Sequence, residues 1–90
     1  MDGKQIAMLI ARHDHPRKRD NLSWEQYLYR AIAQHTLSMS EIVEIAYSVG
    51  LSPEIQAELE IRCYARVGAV GAVERATARY TALFANRGGV

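Results

Sequence analysis

Cysteine, proline and long apolar runs are all scarce in this chain, and each scarcity excludes something. Cys63 is the single cysteine among 90 residues, so no internal disulfide can form, whereas a small secreted domain usually carries an even set. The longest apolar stretches, such as Ile6 to Ala11 and Val67 to Val73, fall far short of the roughly 20 residues that a bilayer crossing needs. No membrane-spanning segment is expected. The amino terminus has Asp2 and Lys4 before a short apolar run, without the basic head and small-residue cleavage site of a secretory signal. A cytoplasmic protein is the expectation. Ser, His and acid groupings, paired-carboxylate motifs and Gly-rich phosphate loops are also missing. The sequence therefore offers no catalytic residue and calls for no cofactor. Strand alternation, internal repeats and low-complexity tracts are absent too.

What remains is a helical pattern. Ninety residues allow one hydrophobic core and not two. With 49% apolar and 23% charged residues the composition is that of a folded domain rather than a disordered chain. Asp2 with Gln5 can cap a first helix whose face is Ile6, Leu9, Ile10 and His13. His15-Pro16 is expected to end it, leaving Asp14 to Leu22 as a mobile polar loop. Ser23 with Gln26, stapled by Leu22 and Tyr27, opens a second helix with a stripe from Trp24 through Ile32 to His35. Ser38 with Glu41, stapled by Leu37 and Ile42, opens a third, which Gly50 stops. Ser52-Pro53 starts a fourth, whose apolar residues from Ile55 to Val67 spread over more than one face and predict packing on two sides. A break near Gly68 precedes a fifth helix with Val70, Val73, Thr77, Tyr80, Leu83 and Phe84 on its face, ended by Gly88-Gly89. The fold class is thus all-α: one domain, a compact array of about five short helices.

The stretch from Ile42 to Leu59 resembles a helix-turn-helix. Ala46 and Gly50 stand four apart, Ile45, Val49 and Leu51 flank the turn, and Ser52 and Pro53 would open the second helix. That resemblance implies a dimeric DNA-binding regulator, with Ser52, Gln56, Arg62 and Arg66 as its contacts. The segment departs from the pattern at Gln56, where a β-branched apolar residue belongs. It also leads with Glu54 and Glu58, which a groove walled by phosphates repels. Nucleic acid is accordingly disfavoured.

Charge is segregated along the chain although the net charge is only +1. Residues 1 to 30 hold six of the eleven basic side chains, residues 41 to 60 hold five glutamates and no Lys or Arg, and five arginines follow. Such a dipolar pattern suits self-association or a charged protein partner as readily as nucleic acid, and by itself chooses neither. The expected docking groups are Arg17, Lys18 and Arg19 in the loop and Arg75 and Arg79 on the last helix, anchored by exposed Tyr29 or Tyr47, which fall off the apolar stripes. His13, Asp14, His15 and His35 do not make the usual cysteine-containing zinc set, so no metal is expected. Cys63, beside Arg62 and Tyr64 on an apolar helix, reads as buried and inert. The overall expectation is a non-enzymatic interaction module that occupies a surface on a larger protein. Small inhibitors, antitoxins and phage or plasmid proteins such as anti-CRISPR proteins share this size and character. Self-association is also expected, because short helices this apolar need cover.

Overall fold

The helix starts follow the capping chemistry written in the sequence. Asp2, Ser23 and Ser38 each accept a hydrogen bond from the backbone N–H three residues on, and Gln5, Gln26 and Glu41 reach back to the capping N–H. Ser52 accepts from the Ile55 N–H at 3.3 Å, with Pro53 at the first helical position, where a missing donor costs nothing. The computed structural model describes residues 1–88, with side-chain surroundings through residue 85. Its elements are α1 (Gly3–Arg19), α2 (Trp24–Gln34), α3 (Met39–Ser48), α4 (Pro53–Arg66) and α5 (Val70–Gly88). The expected all-α array of five helices forms; Gly89, expected to help end the last helix, lies outside the described residues.

Four of the helices close with one device. After α1, α2, α3 and α4 a residue in the left-handed region turns the chain: Asn21 (φ 55°), His35 (φ 57°), Gly50 (φ 79°) and Gly68 (φ 72°). The next N–H then bonds back five residues, Leu22 to Arg17, Thr36 to Ala31, Leu51 to Ala46 and Ala69 to Tyr64, at 3.0 to 3.1 Å. These bonds satisfy carbonyls that a helix end would otherwise leave orphaned. Gly50 and Gly68 stand where the sequence placed them. His35, expected to be half-buried on the α2 stripe, is instead an exposed turn residue.

The larger correction concerns α1. It runs through Pro16 to Arg19, so the expected mobile loop is helical over most of its length and only Asp20 to Ser23 lies between α1 and α2. An interior proline costs about 3 kcal/mol, and contacts beyond it offset that cost. The Arg17 guanidinium bonds Asp14 at 2.6 Å and the Leu22 carbonyl at 3.0 Å, and it lies 4.7 Å from the Trp24 ring centre. Arg30 of α2 holds Asp20 at 2.6 Å. The last turn of α1 is thereby fastened to the start of α2.

α1 packs on α3, α2 on α3 and α4, and α3 on α4. Leu28, Ile42, Ile45 and Leu59 are fully buried between them, each stabilising the fold by about 1.5–3 kcal/mol. α4 is covered on two sides, as its apolar spread predicts: Leu59 and Cys63 face the core, while Ala57 sits where α5 comes close. α5 differs from expectation. It packs chiefly on α4 and buries only Ala76 among its described side chains, leaving Val70, Thr77 and Phe84 of the predicted face exposed.

Candidate functional site

Continuing α1 past Pro16 changes what its charges form. At 100° per residue, Ile6, Leu9, Ile10, His13 and Arg17 point toward the body, and Lys4, Met8, Arg12, His15, Lys18 and Arg19 share the opposite side. All six of the latter are exposed. No acidic side chain interrupts this face; Asp14 stands at its edge. Lys18 pairs with Asp14 at 3.0 Å and Arg19 with Asp20 at 3.2 Å, and both cations remain largely in solvent. Both carboxylates are held below their ordinary range, Asp14 chiefly by its bond from Arg17 and Asp20 by its bond from Arg19. Lys4 and Arg12 make no ion pair among the described residues. The result is a cationic strip one helix long, with Met8 supplying an apolar contact within it.

The expected basic triplet is therefore divided. Lys18 and Arg19 belong to the strip, and Arg17 turns inward to fasten the helix end. Lys4 and Arg12 were close in sequence to the triplet but join it only because the helical period is unbroken. A period counted straight through Pro16 would have found the strip.

The two tyrosines separate as well. Tyr47 is 73% exposed at the carboxy-terminal end of α3, as its place off the stripe predicts. Tyr29 is half-buried against the core, with the Arg62 guanidinium 4.7 Å from its ring centre. Burial, reinforced by neighbouring Glu58, pushes the Tyr29 phenol well above its ordinary value. Arg79 pairs with Glu60 of α4, and Arg75 lines the same α4–α5 cleft of about 250 Å³. These arginines belong to a different part of the surface from the α1 strip.

The helix-turn-helix residues are largely engaged inside the fold. Ser52 caps α4, and Gln56 Nε2 donates to the Leu51 carbonyl at 2.8 Å. Arg66 donates to the carbonyls of Ile32 and Leu37, both at 3.3 Å, tying the end of α4 to the α2–α3 connection. Arg62 alone of the four is exposed, and it pairs loosely with Glu58 at 3.4 Å. The outward side of α4 is overlaid by α5 through Ala72, Ala76, Arg79 and Leu83. A recognition helix needs an open face to enter a major groove.

His13 bonds the Tyr27 hydroxyl at 2.7 Å, which accounts for its place on the inner side of α1. Burial lowers the His13 pKa, Arg12 lowers it further, and Glu41 opposes them. His13, Asp14, His15 and His35 gather into no metal-holding group among the described residues. Cys63 is 2% exposed, and burial raises its thiol pKa against the pull of Arg66. No helix among the described residues is long and apolar enough to cross a membrane. Comparison of the chain with known protein families, with curated proteins and with solved structures finds no match.

Proposed function

We propose that this protein is a small interaction module that regulates or inhibits a larger protein by docking the cationic strip of α1 on an acidic surface. The observation that supports this reading is the uninterrupted exposure of Lys4, Arg12, Lys18 and Arg19 on one helix face. A strip of one sign steers encounter with a surface of the other and rejects like-charged competitors. Met8, 60% exposed within the strip, gives the contact an apolar component that salt does not screen. The mechanism is occupancy: the helix covers the partner's acidic site and performs no chemistry there. Inhibitors of host machinery carried by phages and plasmids are the class that this mode of action suits.

The test is capture from nuclease-treated lysate of the source cell, followed by affinity measurement with the recovered protein. Reversing Arg12, Lys18 and Arg19 to glutamate together should weaken binding roughly 10- to 100-fold, at up to about 1 kcal/mol for each exposed pair lost. Arg75→Glu should leave it unchanged. Equal affinity for wild type and the triple variant would remove α1 from the mechanism. Recovery of nucleic acid alone would replace the protein partner with a phosphate backbone.

A further inference from the structure

The carboxy-terminal end of the α1 strip opens onto a small pocket against α2. Its volume is about 180 Å³, below the roughly 300 Å³ at which small-molecule sites begin, so it has the size of a single amino-acid side chain. Its lining divides by chemistry. Pro16, Tyr27 and Ala31 supply apolar surface, and Arg19 and Arg30 bring guanidinium groups to it. Asp20 arranges those two cations: one carboxylate oxygen accepts from Arg19 Nε at 3.2 Å and the other from Arg30 Nη2 at 2.6 Å. Each guanidinium has five N–H donors, and these bonds engage one apiece. The Arg30 group also lies 5.5 Å from the Tyr27 ring centre, which limits its freedom to turn away.

Pro16 is the residue of α1 that breaks the rules of its own helix, and its half-buried ring is a wall of this pocket. A destabilising residue in that position points to a use for the ring, because local rules yield most often at functional sites. Resting on the reading of α1 as the docking helix, we infer that this pocket seats one carboxylate side chain, Asp or Glu, from the partner's acidic surface. Its methylenes lie on Pro16 and Ala31 and its oxygens meet Arg19 and Arg30. Neighbouring guanidiniums offer paired N–H donors, which match a planar carboxylate. Charge selects it over phosphate. Asp20 offsets one of the two cations, and the single positive charge left balances a carboxylate but not a phosphate dianion. The pocket gives the strip a fixed register on its partner, which exposed ion pairs alone do not.

The experiment is a proton–nitrogen NMR titration of the full chain with N-acetylglutamate α-amide, which carries one side-chain carboxylate. Its glutamine counterpart and inorganic phosphate are the comparisons, at matched ionic strength. The glutamate compound should shift the Arg19 and Arg30 Nε–H signals and the Ala31 amide saturably, with a Kd on the order of millimolar for so small a ligand. The glutamine compound should not. Arg30→Gln removes a guanidinium that lies outside the strip and should weaken binding about tenfold, the loss of one charge-assisted contact. Pro16→Ala should weaken it about threefold while raising the urea midpoint, so loss of fold cannot account for the effect. Lys4→Gln, in the strip but at the other end of α1, should bind as wild type does. No saturable shift at Arg19 and Arg30, an equal response to the glutamine compound, tighter binding of phosphate, or indifference to both pocket variants would each overturn the proposal. The titration needs no partner, so its failure is distinct from failure of the docking reading. In capture from lysate, binding lost on reversing Arg12, Lys18 and Arg19 but kept by Arg30→Gln would likewise overturn the pocket while leaving the strip in place.

Discussion

Replacing Arg66 with methionine keeps most of the aliphatic stem and removes the two bonds by which α4 holds the α2–α3 connection. Those bonds, to the Ile32 and Leu37 carbonyls, are 3.3 Å long and join a half-buried cation to backbone. Their length lies beyond the usual N–H···O range, so about 1 kcal/mol apiece is appropriate rather than the larger value of short charged bonds. Against the loss of about 2 kcal/mol stands a smaller gain, because Arg66 Nε is buried without a partner and the substitution removes it. The net expectation is destabilisation by about 1–2 kcal/mol, a fall in Tm of about 5–15 °C for a domain of this size. Thermal and urea unfolding followed by circular dichroism measure both. Arg62→Met is the comparison, since Arg62 bonds no backbone and should cost less than about 1 kcal/mol. If Arg66→Met costs no more than Arg62→Met, Arg66 is not a clamp and its bonds contribute nothing net.

Pro16→Ala should stabilise the protein by about 1 kcal/mol, read as a higher urea midpoint. An interior helical proline is about 3 kcal/mol worse than alanine, offset by about 1 for the stiffer unfolded chain and about 1 for the half-buried ring lost. Destabilisation would mean that α1 does not continue as a regular helix past this residue. Native Cys63 should react with a thiol reagent at least about 100-fold more slowly than in denaturant, because it is buried and its thiol pKa is raised. Rapid native labelling would refute the reading of Cys63 as buried and inert. For His13, burial holds the folded pKa below the ordinary 6.5. Its contribution is therefore complete above 6.5 and is lost as pH falls below it, because the unfolded chain takes up the proton first. His13→Gln should flatten that acid-side loss, and an unchanged pH profile would count against a His13 contribution.

Most of the fold was legible in local chemistry. Asp2, Ser23, Ser38 and Ser52 announced four helix starts, and Gly50 and Gly68 announced two ends, because caps and left-handed turns depend on residues within a few positions of one another. Asn21 and His35 end helices in the same conformation without glycine's permissiveness, so their role was not visible. The candidate site was half legible. The basic residues near the amino terminus were evident, but their assembly into one strip depended on the helix surviving Pro16.

The sequence by itself determined the helical class, the number of helices and most of their boundaries, since those follow from apolar period and capping within each segment. Only tertiary structure decided that Arg17 and Arg66 fasten one helix to another while Arg12, Lys18 and Arg19 stay in solvent. It alone placed Tyr29 half-buried against the core and Tyr47 outside, and left Val70, Thr77 and Phe84 of α5 exposed. The reason is physical. A cap is satisfied by neighbours along the chain, whereas the burial of a guanidinium, a phenol or an apolar stripe depends on which distant helix arrives to meet it.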